Sequence, residues 1–257
     1  MLNLPDVLIF GAIEGITEFL PISSTGHLML TAKLLQISQT EFIKSFEIAI
    51  QMGAICSVVV LYWARIIKDR QIWKRLLAAF LPTALIGALL YKLIKSYLLE
   101  NNAVVLWSLF IGGLFLIIFE LFHSEKEHGV EELSGISYGQ AFIIGLFQSL
   151  AMVPGVSRAA ATIIGGLAIG LKRKVIVEFS FLLAVPTMLA ATSLDLFKSA
   201  GSFDPGQLVY LGAGFLVSFL VAILAIKFLL NFIKHRSFIA FGFYRVIIAL
   251  VFWFIVR

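Results

Sequence analysis

Charged residues are scarce in this sequence, and that scarcity excludes an ordinary water-facing surface. Only 14% of the 257 residues are Asp, Glu, Lys or Arg, against 60% apolar residues and a mean hydropathy of +1.01. A soluble domain carries about a quarter of its residues as charges, so the outer surface here is expected to face lipid. Cysteine is nearly absent too. Cys56 is the single one and lies in an apolar run, which excludes an intrachain disulfide and offers no redox pair. Zinc-ligand spacing, a P-loop and a dinucleotide-binding glycine motif are all missing. The net charge of +5 is too small and too dispersed for a nucleic-acid partner. The first positive side chain is Lys33, so the basic n-region of a signal peptide is lacking, and the first apolar stretch is expected to remain in the mature fold. No linker or low-complexity tract interrupts the chain. A single polytopic membrane domain over 1–257 is the expectation.

A spanning helix needs about 20 mostly apolar residues. Six runs meet that length: 42–63, 76–94, 103–122, 175–195, 206–230 and 238–256. Four shorter apolar pieces, broken by Pro, Gly and polar residues, form two pairs, 4–20 with 27–36 and 138–153 with 157–170. The most basic loop, Arg65 to Arg75, is expected on the cytoplasmic side. Counting crossings from it places 123–137, Lys172–Lys174 and Lys234–Arg236 inside as well. Lys92, Lys95, Lys198 and both termini then fall outside. Each broken pair must begin and end on one side, and piece 27–36, at about 1.5 Å per residue, is too short to cross. Re-entrant helix hairpins are therefore expected.

The two pairs also resemble each other. Gly11 is followed by Glu14 and, nine residues on, by Ser23; Gly145 is followed by Gln148 and, nine residues on, by Ser157. Three long runs follow each pair, and the parity makes the halves run oppositely through the membrane. The expected architecture is thus all-α and integral to the membrane, with six spanning helices and two re-entrant hairpins in an inverted repeat, the halves being about 4–122 and 138–256.

The chemistry sits in those hairpins. Glu14 and Glu18 share one face of an apolar helix, where two carboxylates need a proton, an arginine or a divalent metal ion between them. Pro21-Ile-Ser23-Ser24-Thr25-Gly26-His27 breaks that helix and caps the next, turning unpaired amides inward, which suits phosphate. Ser24 offers a nucleophilic hydroxyl and His27 a base or proton donor. In the second hairpin, Pro154-Gly-Val-Ser157-Arg158 makes a matching break, with Thr162 one turn further on. Arg158 is the one basic residue in 138–171, and its fork fits phosphate oxygens two at a time. Glu47 and Gln51 share a face that could line the cavity. Arg245 is expected to pair with Glu120 or reach an interface, and His123, His128 and His235 to be solvated.

The stretch Glu14-Gly-Ile-Thr-Glu18-Phe-Leu-Pro-Ile-Ser-Ser-Thr-Gly-His27 resembles the first signature of the undecaprenyl-diphosphate phosphatase family, the bacitracin-resistance membrane proteins. Pro154-Gly-Val-Ser157-Arg158 resembles its second signature. Phe46-Glu47…Gln51-Met-Gly53 and Glu178 to Pro186 are similar to the family as well, so the likeness runs nearly end to end. One departure stands out: Ala159-Ala160 replaces the family's usual Ser-Gly after the arginine. The resemblance implies removal of one phosphate from a polyprenyl diphosphate, recycling the lipid carrier for cell-wall synthesis in a bacterial inner membrane. It makes Glu14, Glu18, Ser24, His27 and Arg158 the expected catalytic set, with Arg158 as phosphate clamp. Ser23, Thr25, Ser157 and Thr162 are the further phosphate contacts, and Glu14 with Glu18 would hold Mg²⁺ or Ca²⁺. Either Ser24 attacks with His27 as base, or His27 activates water. A lipid-phosphate flippase is the alternative, since it needs the same midplane anion site.

Overall fold

The computed structural model describes residues 2–98, 101–125, 128–199 and 205–256. Lys126, Glu127 and the side chains of Lys92, Lys95 and Lys198, all part of the loop-charge expectation, lie outside the described residues. Among the described residues there is no strand; one isolated bridge joins Val130 and Leu171.

The helices are α1 (Leu4–Thr17), α2 (Ser24–Leu34), α3 (Glu41–Leu61), α4 (Trp63–Lys68), α5 (Arg70–Tyr97), α6 (Asn102–Phe122), α7 (Tyr138–Ser149), α8 (Arg158–Ala168), α9 (Arg173–Ser199), α10 (Pro205–Phe232) and α11 (Ile239–Val256). Their starts follow local chemistry. Asn3 and Asp6 cap α1 reciprocally, Thr40 caps α3, and Ser137 with Gln140 repeats the reciprocal cap at α7. Two boundaries differ from expectation for clear reasons. Helix α2 begins at Ser24 rather than 27, because Ser23 takes the cap position. Helix α5 begins at Arg70 rather than 76, because Ile72, Leu76 and Ala79 bury one helical face and carry the polar first turns with them.

Five helices, α3, α5, α6, α9 and α10, are long and apolar enough to cross a membrane. The protein is an all-α, multi-pass integral membrane protein. Helix α11 answers the sixth expected run, but its described apolar stretch, Ile239–Phe254, is shorter than the others.

Packing crosses between the halves of the chain. Helix α10 lies against α1 and α3, while α5 lies against α7 and α9. Helices α3 and α9 meet each other, as do α6 and α11. Small residues permit the closest approaches. A Cβ on Gly11 would stand 2.9 Å from the Gly214 carbonyl oxygen of α10, and one on Gly145 would stand 1.9 Å from that of Ala79 in α5. Polar side chains tie several loops together at one end. Arg65 pairs with Glu178 at 2.7 Å, and Arg75 donates to the carbonyls of Ser134 and Ile136. Arg173 pairs with Glu120 and, at 3.2 Å, with Glu125.

Candidate active site

Two helix pairs, α1–α2 and α7–α8, turn back at their polar breaks, and the breaks meet. Each break passes through a serine with positive φ: Ser23 at φ 72° and Ser157 at φ 76°. Such backbone costs about 1–3 kcal/mol per non-glycine residue and concentrates at functional sites. Serine is suited to it because the side chain returns a bond: Ser23 accepts from Gly26 N at 3.4 Å, and Ser157 from Ala160 N at 3.2 Å. Both α2 and α8 therefore start inside the protein, with their unpaired amides at the junction.

Glu18 joins the two breaks. It accepts from Ser24 Oγ at 2.6 Å and from Arg158 Nη2 at 3.1 Å. Arg158 is steadied by a second bond, Nη1 to the Ser180 carbonyl at 2.8 Å, and by the Phe19 ring 5.8 Å from its Cζ. Its Nε is buried without a partner. Ser180 Oγ in turn meets Thr162 Oγ1 at 2.6 Å. Thr162 thus braces the arginine's anchor and is fully buried.

Glu14 lies one turn below Glu18. It is fully buried, and neither carboxylate oxygen has a hydrogen-bond partner. The charged groups acting on it are Glu18, Glu47 and Arg158. A buried carboxylate without donors is rare and calls for a ligand. Among the described residues no three His, Cys, Asp or Glu side chains gather into an all-protein cage. Two buried carboxylates one turn apart are oxygen donors of the kind a divalent ion such as Mg²⁺ takes.

Four polar side chains have surroundings that the sequence did not foretell. His27 is not bonded to Ser24: its Nδ1 faces the Ser23 carbonyl at 2.7 Å and its Nε2 faces the Tyr244 hydroxyl at 2.8 Å. The serine hydrogen goes to Glu18 instead, whose carboxylate lies over the start of α2. Thr25 is exposed, because it follows the cap on the outer side of the first turn, and it stands apart from the cluster. Arg245 does not pair with Glu120, which is taken by Arg173. It is fully buried and donates to the carbonyls of Pro21, Ser108, Leu109, Gly155 and Val156, so it fastens both breaks to α6. His123 also departs from expectation: it stacks on Phe119 with its Nε2 buried, whereas His128 and His235 are exposed. Glu47 is half-buried and bonds to Gln39 at 3.2 Å, and Gln51 is half-buried on the same helix.

Ser180, Tyr244 and Arg245 are the members that sequence reasoning left out of the site. Arg245 carried a signal, since it is the one charge in the apolar run 238–256.

A membrane-embedded junction of two helix N-termini, with a hydroxyl, carboxylates and an arginine gathered on it, defines an anion site able to act on phosphate. The sequence profile of the family described as bacitracin resistance protein BacA matches residues 7–251, and the chain belongs to that family. The undecaprenyl-diphosphatase of Aquifex aeolicus is 54% identical over 95% of this chain and 95% of its own. That of Sulfurihydrogenibium sp. is 50% identical over 96% and 97%. That of Campylobacter hominis is 50% identical over 99% and 100%.

Proposed function

We propose that this protein is an undecaprenyl-diphosphate phosphatase, which hydrolyses the lipid diphosphate to monophosphate and phosphate. It thereby recycles the carrier for cell-wall synthesis and confers bacitracin resistance. The observation that carries the chemistry is the chain Ser24–Glu18–Arg158, which spans both breaks through bonds of 2.6 and 3.1 Å.

In this reading the diphosphate lies between the starts of α2 and α8. Arg158 contributes its unpartnered Nε and its remaining terminal hydrogens, and the amides and Ser23, Ser157 and Thr162 support the break geometry. Ser24 Oγ attacks the terminal phosphorus while its proton passes to Glu18, and the lipid monophosphate leaves. Water then attacks the phosphoserine, which releases phosphate and restores the serine hydroxyl. Glu14 and Glu18 would hold a divalent cation, Mg²⁺ or Ca²⁺, whose chemistry is to neutralise charge building on the phosphate oxygens. The polyprenyl tail lies in a groove between helices that opens to the bilayer.

The same reading takes the chain as one domain of two inverted halves, about 4–122 and 138–256, with six spanning helices and two re-entrant hairpins. The crosswise packing of α10 on α1 and α3, mirrored by α5 on α7 and α9, supports it. So do the paired serines of positive φ. A bacterial inner membrane with both termini outside accords with the basic loops, since those around Arg65, Arg75 and Arg173 gather at one end.

The test is phosphate release from undecaprenyl diphosphate by the purified protein in detergent, where a flippase has nothing to transport across. Release is expected, and Ser24→Ala should abolish it. A folded wild-type protein that releases no phosphate overturns the phosphatase reading. A Ser24→Ala variant with substantial turnover overturns the nucleophile and leaves attack to water.

A further inference from the structure

Tyr244 lies in α11, outside both signatures, and meets the one ring nitrogen of His27 that is able to exchange a proton. The Ser23 carbonyl, 2.7 Å from Nδ1, can only accept, so Nδ1 carries a hydrogen. That leaves Nε2 as the site where His27 gains or loses a proton, and its partner at 2.8 Å is the Tyr244 hydroxyl. The two rings lie parallel, 3° apart, with centroids separated by 5.5 Å. His27 is buried, whereas Tyr244 is 40% exposed, so the phenol stands between the buried imidazole and the outside. The charged group facing His27 is Arg245, the next residue along α11. Its guanidinium holds the carbonyls of Pro21, Gly155 and Val156, which fixes this turn of α11 against both breaks. There is no slack in that arrangement, because a Cβ on Gly112 would lie 2.1 Å from Arg245 Nη2. The hydroxyl of Tyr244 is thus placed by an anchor that also sets the site.

We infer that Tyr244 is a positioning residue of the phosphatase site, acting through its hydroxyl on Nε2 of His27. It donates to Nε2 of the imidazole that the Ser23 carbonyl holds in the Nδ1–H form, and keeps the ring plane fixed beside the start of α2. This role rests on the phosphatase reading and on His27 belonging to that site. A ring present only for packing would need no hydroxyl directed at an imidazole nitrogen.

Tyr244→Phe removes one oxygen and keeps the stacked ring, so the full chain should fold and melt as wild type does. With undecaprenyl diphosphate in detergent, kcat should fall about 3- to 10-fold, the size of one hydrogen bond expressed as rate, while KM stays within about twofold. In a His27→Ala background the same change should do nothing more, since the residue it positions is gone. Imidazole ¹⁵N spectra of histidine-labelled protein should show Nδ1–H in both proteins, with the Nε2 resonance of His27 shifted in Tyr244→Phe by loss of the phenol's hydrogen bond. Normal kcat in Tyr244→Phe overturns the inference, as does an equal loss in the His27→Ala background or a lowered melting temperature with normal specific activity. Full activity in His27→Ala overturns both this role and the place of His27 in the site. If wild type turns over no substrate, the phosphatase reading fails, and the ¹⁵N comparison still decides whether Tyr244 donates to Nε2 of His27.

Discussion

The two helix hairpins bend alike and are filled with different chemistry. Ser23 and Ser157 take nearly the same backbone, φ 72° and ψ 96° against φ 76° and ψ 116°, and each caps the helix that follows. Glu14 and Gln148 occupy matching positions, both buried, each three residues after a glycine in close contact with a helix of the other half. There the likeness stops. The Gln148 amide donates to Thr83 at 3.0 Å and to Thr187 at 3.1 Å, whereas the Glu14 carboxylate has no donor at all. A glutamine brings its own hydrogens, and two threonines accept both of them; a buried carboxylate needs donors or a cation from elsewhere. At that depth helices α5 and α9 accept both amide hydrogens of the second hairpin, whereas the first holds a carboxylate with no donor. Only Arg158 breaks the division, and it spends one arm on Glu18 of the first hairpin. Two alike breaks bring two helix N-termini together, and their unequal side chains make the junction chemically one-sided.

The most direct way to erase the difference is to give the first hairpin the glutamine of the second. Glu14→Gln and Glu18→Gln should each lower turnover by about 100-fold or more, the scale of losing an acid–base or charge-stabilising group. Stimulation by added Mg²⁺ or Ca²⁺ should vanish with it. Phosphate release measured across a metal titration checks this. Near-normal turnover with unchanged metal dependence would mean that the carboxylates are a structural accident.

A smaller but sharper effect is expected at Arg158, the residue that links the hairpins. Arg158→Lys keeps the charge but loses the planar fork and one of its anchors, Glu18 or Ser180. At least about a tenfold loss follows from charge-assisted bonds worth about 1.5–3 kcal/mol each. Arg158→Ala should lose more and also melt lower, because it strands Glu18 in a buried site. Melting temperature and specific activity on the same sample separate the roles. A low melting temperature with normal activity per folded molecule would leave Arg158 as a strut.

How much of this was legible in the sequence depended on where a residue's partner comes from. Glu14, Glu18 and Arg158 were legible because a charge in an apolar run is expensive and stands out in a single chain. The breaks were legible from Pro21, Gly26, Pro154 and Gly155, and the serine caps from their neighbours. Arg245 stood out by the same rule, and a structural role was expected, but its partners are backbone carbonyls, which leave no mark in the sequence, so a carboxylate or an interface was expected instead. Ser180 holds Arg158 through its carbonyl and was hidden for the same reason. Tyr244 lies 217 residues from His27 in an aromatic-rich helix, where one tyrosine looks like any interface anchor. The neighbours of His27 were not legible, because three residues along a helix start point Ser24 and His27 to different partners, one to Glu18 and one to α11.

The smallest effect is expected at Gln148 of the second hairpin, whose amide hydrogens already go to two threonines. Gln148→Leu replaces a buried amide by an apolar group of similar size. Thr83 keeps its bond to the Gly145 carbonyl at 2.9 Å, and Thr187 keeps its bond to the Leu183 carbonyl at 2.8 Å, so neither hydroxyl is stranded as a donor. Gln148 Oε1 has no partner to lose and is itself a buried acceptor left unpaired. Two neutral bonds of about 0.5–1.5 kcal/mol each are given up, and the relief of that unpaired oxygen offsets part of the loss. Stability should therefore stay within about 1–2 kcal/mol of wild type, and phosphate release per folded molecule should be unchanged, in contrast to the matching Glu14 position. Thermal unfolding and specific activity of purified Gln148→Leu in detergent read the two quantities separately. A loss of turnover comparable to that of Glu14→Gln, with the fold intact, would place Gln148 in the chemistry and end the division between the two hairpins.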